Sequence, residues 1–293
     1  MAAVDLVGLS PLLQRTAGDP AVSIALIDGP VLTADPQLNA ATLRPLSSNT
    51  PIACTRNDSP ACSHGTFVAG LLNARRSARI PGICPDCTLL IRPVFAEPLG
   101  NDPAAIATTP RELASAINDC IHAGARCINL SLALATPAST TERDLETALD
   151  HAARRGVLVV AAGGNQGTLG STSITRSPAV IPVVACTSAG IPMNDSNLAF
   201  SIARHGVCAP GESIAGIGTN GQSATFSGSS VAAPFVTGTI ALLWSLFPNA
   251  TAPVLKTALT RAYKPRSRSI VPPLLNAWEA FQYLQAALLR RSA

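Results

Sequence analysis

Charge and aromatic rings are scarce in this 293-residue sequence: 13% of residues are charged and 4% aromatic, against 47% hydrophobic. The charged share is about half that of an average domain. Such a composition excludes a disordered chain, which needs low hydrophobicity and high charge. Twenty-one basic residues stand against 17 acidic ones, a net charge of +4, and only two of the basic residues are lysine. Dense basic stripes are missing as well. The basic residues are scattered apart from Arg261, Lys264, Arg266 and Arg268 and the pair Arg290–Arg291. A nucleic-acid surface needs such a stripe, so no nucleic-acid partner is expected. No apolar stretch reads as approaching the roughly 18 residues of a membrane span, and no membrane partner is expected either. Met1-Ala-Ala-Val-Asp5 lacks the basic start of a secretory signal. The sequence as given therefore reads as cytoplasmic, with a secreted origin as the alternative.

Cysteine, by contrast, is plentiful: Cys54, Cys62, Cys84, Cys87, Cys120, Cys127, Cys186 and Cys208. The first four fall in two close pairs within loop-like sequence, a pattern at home in an oxidising compartment. Cys84-Pro-Asp-Cys87 also fits half a zinc site or a redox pair. The spacing of Cys54 and Cys62 is too wide to complete a zinc site. A redox CxxC follows a strand and opens a helix, whereas this one precedes a strand-like run. A local disulfide or free structural thiols are the expected state. Asn-x-Ser/Thr triplets, those at Asn57, Asn194 and Asn249 among them, are common enough by chance to carry no weight.

Short β-type runs alternate with helix-type segments along the chain. Residues 22–28, 88–95, 126–132, 156–162 and 180–186 are continuously apolar and rich in β-branched residues, as strands buried on both faces should be. Helices are predicted over 66–76, 110–123, 141–155, 230–247 and 275–291. The second opens with Thr109-Pro-Arg-Glu112, and Thr141 is placed to cap the third. The alternation predicts an α/β fold with a parallel sheet covered on both sides. A single domain over 1–293 is expected, with its core at about 22–250 and an outer amphipathic helix at 275–291. In open parallel sheets, sites form at the carboxyl ends of strands. Asp28 ends the first strand, and Asn165 follows the fourth through Gly163-Gly164.

Three segments carry chemistry together. Ile24-Ala-Leu-Ile-Asp-Gly-Pro30 offers an acid at a strand end, Cys62-Ser-His-Gly-Thr-Phe-Val-Ala69 a histidine, and Ser227-Gly-Ser-Ser-Val-Ala-Ala-Pro234 a hydroxyl in a turn of small residues. Each alone is ordinary. In the order Asp, His, Ser they supply a carboxylate, a base and a nucleophile. A serine hydroxyl is a weak nucleophile at neutral pH, so a histidine must take its proton and a carboxylate must orient that histidine.

With these motifs the chain resembles the subtilisin-like serine proteases over roughly residues 22–250. Asp28 matches the family's strand-end aspartate and His64-Gly65-Thr66 its His-Gly-Thr. Gly228-Ser229-Ser230-Val231-Ala232-Ala233-Pro234 matches Gly-Thr-Ser-x-Ala-x-Pro with Ser229 in the place of threonine, a register that makes Ser230 the nucleophile. Ala161-Ala-Gly-Gly-Asn165 matches Ala-Ala-x-Gly-Asn, which implies that Asn165 donates to the oxyanion. The resemblance implies a subtilisin-like three-layer sandwich with a mostly parallel central sheet. It also implies peptide-bond hydrolysis through an acyl-enzyme. Ile128-Asn-Leu-Ser-Leu-Ala133 looks like the segment that pairs with substrate backbone, a role that falls to Ser131, Leu132 and Ala133. Arg176 reads either as lining the primary specificity pocket, favouring an acidic or polar residue before the scissile bond, or as a solvated loop arginine.

Cys62-Ser-His-Gly-Thr66, Gly82-Ile-Cys-Pro-Asp-Cys87 and Leu90-Ile-Arg-Pro-Val-Phe95 look similar to the cyanobactin-maturation subtilases. That resemblance implies a precursor-peptide substrate and leader cleavage. No insertion stands out like the helices that cover the active site of the macrocyclising members, which favours hydrolysis. Many secreted subtilases hold calcium in carboxylate-rich loops, which this acid-poor chain lacks, so neither metal nor cofactor is expected. The alternatives are a general degradative protease and a peptide-binding module that does not use its catalytic residues.

Overall fold

The structure, a computed structural model, describes residues 3–46, 51, 53–97, 108–132, 142–261 and 269–292. Strand β1 (Ser23–Asp28) shows why the central strands are apolar throughout. Ile24 and Leu26 enter one buried cluster, while Ala25 and Ile27 enter a second on the opposite face. A strand with core on both sides has no solvent face to make polar. The same division recurs farther along the sheet, where Leu158 and Val160 belong to the first cluster and Val159 and Ala161 to the second.

The strands β2 (Leu43–Pro45), β3 (Thr88–Pro93), β4 (Cys127–Leu130), β5 (Leu158–Ala162), β6 (Val180–Cys186) and β7 (Val207–Pro210) complete the sheet. Its order is β2-β3-β1-β4-β5-β6-β7, with every neighbouring pair parallel. The chain leaves β1 for one edge and returns to β4 on the other side, so the order reverses at β1. Such reversals open a crevice at the strands' carboxyl ends, and Asp28 stands there.

Helices cover both faces. Against the first cluster lie α1 (Ala3–Leu6), α2 (Ser10–Leu13), α3 (Pro60–Asn73) and α8 (Ser229–Leu246). On that side too are α9 (Ala252–Arg261) and α10 (Ala277–Ser292). Against the second lie α4 (Pro110–His122), α5 (Arg143–Arg154) and α6 (Ser173–Arg176). Helix α7 (Phe200–His205) buries Ile202 in a small third cluster. A 3-10 turn (Ala40–Thr42) precedes β2, and an antiparallel hairpin, β8 (Ile214–Ile217) and β9 (Ser223–Phe226), packs on α3.

Several predicted boundaries move, for local reasons. Helix α3 begins at Pro60 rather than 66, because Ser59 caps it by accepting the Cys62 N–H and Pro60 takes the first helical position. Its end falls at Asn73, short of 76. Helix α5 is preceded by Glu142, which makes no side-chain cap; Thr141 lies outside the described residues. Helix α8 corrects the reading of apolar runs. Its 18 residues have the length and mean hydropathy (1.4) of a span, and 83% of that stretch is buried inside the fold. It is the core helix of the first layer. Helix α10 buries Ala277, Ala280, Phe281 and Leu284 and stacks Trp278 on Phe281 at 4.9 Å.

Candidate active site

Asp28, fully buried, closes β1. Its Oδ1 accepts the Gly29 N–H at 2.7 Å and lies 2.8 Å from His64 Nδ1. Its Oδ2 is buried and has no partner among the described residues. The carboxylate's charge therefore has one counterpart in reach, the imidazole.

His64 stands in the second turn of α3, not ahead of the helix as the sequence suggested. Two glycines allow that helix to reach the strand. A Cβ on Gly29 would meet the Ala61 carbonyl oxygen at 2.1 Å, and one on Gly65 would meet the carbonyl oxygens of Pro30 and Gly29 at 2.5 and 2.6 Å. Backbone touches backbone here, and no larger residue fits on either side. Phe226 of β9 covers the imidazole edge-on at 6.1 Å. Burial disfavours the imidazolium, but the Asp28 charge and hydrogen bond outweigh it and hold the His64 pKa above its ordinary 6.5.

On the other side of the ring, Nε2 lies 3.0 Å from Ser230 Oγ, in the first turn of α8. The neighbouring hydroxyl has a different occupation. Ser229 is buried, and its Oγ accepts the Gly164 N–H at 3.0 Å. The geometry thus separates the two serines, with Ser230 alone facing the base. Asn165 is exposed beyond β5, and its Oδ1 accepts the Ser229 N–H at 2.9 Å. The amide's Nδ2 donors remain uncommitted among the described residues. Gly228, at φ +124°, gives the amide its place, since a Cβ there would lie 2.6 Å from Nδ2.

Ser131 and Leu132 continue past the end of β4 and are buried. The Ser131 side chain turns inward: its Oγ accepts from Asn129 Nδ2 and donates to the Ser230 carbonyl. Only its backbone is left for a substrate strand. Leu132 packs in the second cluster. Ala133 lies outside the described residues. Arg176 ends α6 with Nη2 3.8 Å from Glu146 Oε1, both side chains about half exposed (54% each). That is a surface ion pair, in keeping with the solvated reading.

Asn129 and Thr237 were not singled out from the sequence, though both share the network that ends on Ser230. Their separation in sequence, 108 residues, hides the contact. Among the described residues, Cys54, Cys62 and Glu97 converge closely enough for a metal. The two cysteines are joined in a disulfide, however, and Glu97 accepts from the N–H groups of Thr55 and Arg56. That set is already committed.

The profile of the subtilase family matches residues 19–275. Subtilisin E of Bacillus subtilis (strain 168) is 32% identical over 232 residues, covering 78% of this chain and 56% of that protein. The chain thus spans little more than half the length of several curated relatives. Among solved structures, a mutant of the protease domain of PatA superposes with a TM-score of 0.84 at 32% identity, covering 92% of this chain and 97% of that one. The prenylagaramide maturation protease PagA gives 0.82 at 30% identity, covering 94% and 98%. The seven-stranded parallel sheet between two helical layers is the subtilisin-like fold that these matches share, and this chain belongs to the subtilase family.

Proposed function

We propose that this chain is a serine endopeptidase that matures a ribosomally made precursor peptide by cutting off its leader. The observation that carries the protease reading is the unbroken path Asp28 Oδ1–His64 Nδ1 and His64 Nε2–Ser230 Oγ, at 2.8 and 3.0 Å. In this reading Ser230 Oγ attacks the scissile carbonyl carbon while His64 Nε2 takes the hydroxyl proton. Asp28 holds the ring with Nδ1–H toward Oδ1 and stabilises the imidazolium. The carbonyl oxygen, now an oxyanion, receives Asn165 Nδ2, beside the N-terminal dipole of α8. His64 passes its proton to the leaving amine, an acyl-enzyme remains on Ser230, and water releases it by the same steps. The substrate lies extended along the backbone of Ser131–Ala133 as an added strand.

The maturation reading is supported by structural likeness to two maturation proteases. The PatA protease domain and PagA superpose with TM-scores of 0.84 and 0.82 at 32% and 30% identity, and Subtilisin E is 32% identical as well. A general peptidase is the second reading, favoured by that equal identity. Cleavage of a diverse peptide library, read by mass spectrometry with Ser230→Ala as control, separates them. Cuts confined to one narrow motif support maturation, and broad cutting supports the general peptidase. No cutting, together with no labelling of Ser230 by a fluorophosphonate, would leave a binding module and overturn the protease reading.

A further inference from the structure

Pro234 lies inside α8, four residues after Ser230. Proline has no N–H, so the Ser230 carbonyl lacks the donor that an α-helix supplies at that spacing. A main-chain acceptor so placed must find its partner outside the helix. Here the partner is Ser131, whose Oγ donates to the Ser230 oxygen at 2.8 Å. Ser131 is held in turn. Asn129 Nδ2 donates to Ser131 Oγ at 2.6 Å, and Thr237 Oγ1 donates to Asn129 Oδ1 at 2.8 Å. Asn129 and Thr237 are fully buried, and Ser131 is 4% exposed. Every group in this chain donates toward the next, so the chain has one direction and ends on the nucleophile's own backbone.

We propose that Ser131 is a positioning residue for the nucleophile. Its hydroxyl replaces the N–H that Pro234 withholds and fixes the first turn of α8, keeping Ser230 Oγ aimed at His64 Nε2. Asn129 and Thr237 set the orientation of that hydroxyl. The inference rests on Ser230 being the nucleophile and adds a second duty to Ser131, whose backbone is expected to pair with substrate. Because the side chain serves the enzyme and not the substrate, its loss should lower turnover and spare affinity.

The test is a double-mutant cycle on a peptide that the parent cuts, read as kcat, KM and the rate of fluorophosphonate labelling. Ser131→Ala leaves an acceptor without its donor and should lower kcat about tenfold, with KM changed less than about twofold. Pro234→Ala returns the helical N–H to the Ser230 carbonyl. In that background the same Ser131→Ala change should cost less than about threefold, because the two donors substitute for each other. Equal losses in both backgrounds, or no loss in either, would overturn the proposal. Thr237→Val tests the far end at nearly unchanged shape and should lower kcat about two- to threefold while leaving the acid limb of the pH profile in place. An effect on KM alone would again overturn it. A parent that neither cuts nor labels would instead remove the protease reading, so the two failures are distinct.

Discussion

Asn165 is anchored through its acceptor, not its donors: Oδ1 takes the Ser229 N–H at 2.9 Å. An amide flip would set Nδ2 against that N–H and lose the bond, so the donors have one stable orientation. The residue that provides the anchor is the immediate neighbour of Ser230. The Asn165 amide and Ser230 are therefore positioned by one short piece of backbone, the turn Gly228–Ser230, and cannot drift apart without breaking it.

Asn165→Ala should lower kcat about 10²–10³-fold, the usual loss for one oxyanion donor, with little change in KM. The amide gains its partner only when charge develops on the carbonyl oxygen, which is why turnover and not affinity responds. Steady-state kinetics on the preferred peptide decide it; unchanged kcat would remove Asn165 from the chemistry.

Ser230→Ala and Ser229→Ala should behave differently although the residues are adjacent. The first removes the hydroxyl that faces His64 and should abolish acylation. The second strips the acceptor from the buried Gly164 N–H, which should destabilise the fold by about 1–3 kcal/mol while Ser230 still labels with a fluorophosphonate. Mass spectrometry of the labelled peptide, paired with denaturant unfolding, separates the outcomes. A label on Ser229 would shift the motif register by one residue.

How much of this was legible in the sequence depended on the range of the interactions. Asp28 was readable because an apolar strand ending in an acid is a local pattern. A parallel sheet followed from five such runs, but two of its seven strands, β2 and β7, were not read from the sequence. The hairpin of β8 and β9 carried its own signal in Asn220-Gly221, a favoured turn pair between two short strands, which went unread. His64 was identified but placed ahead of its helix, because Gly65, beside it in the second turn, lowers helix propensity and masks the start that Ser59 and Pro60 make. The Thr237–Asn129–Ser131 chain could not be read at all. It exists only because a proline in α8 leaves a carbonyl beside β4, and no local pattern records a contact across 108 residues.

The acid limb of kcat/KM should have its midpoint above 6.5. In the proposed mechanism His64 must be neutral to accept the Ser230 proton, and the Asp28 charge holds its pKa raised, so activity should be lost as pH falls through that raised value. For stability the sign is opposite. A raised histidine pKa stabilises the fold below the unfolded value, and that contribution fades as pH rises through the folded one. Asp28→Asn removes the charge, should bring the midpoint down, and should cut kcat about 10⁴-fold by favouring the wrong tautomer. A pH–rate profile of both proteins tests this, and an unshifted midpoint would contradict the ion pair.

The cysteines should divide two against six. Cys54 and Cys62 are joined, whereas Cys84, Cys87, Cys120, Cys127, Cys186 and Cys208 are buried outside any disulfide. Thiol titration should therefore find six groups after denaturation and eight after denaturation with reduction. In the native protein the reaction should be slow. Burial pushes the Cys120 and Cys127 thiols up and Cys186 to about 11, and the thiolate is the reactive form. The first thiol to react should come from the Cys84–Cys87 pair, in which the hydrogen bond between the two lowers one thiol and raises the other. Reduction of the disulfide should cost about 2–3 kcal/mol of stability, the loop entropy of an eight-residue separation. Because Cys62 lies two residues before His64 in α3, that loss should appear in turnover as well as in unfolding. A reduced protein with unchanged kcat and unchanged unfolding midpoint would show that the Cys54–Cys62 link does not hold the base in place.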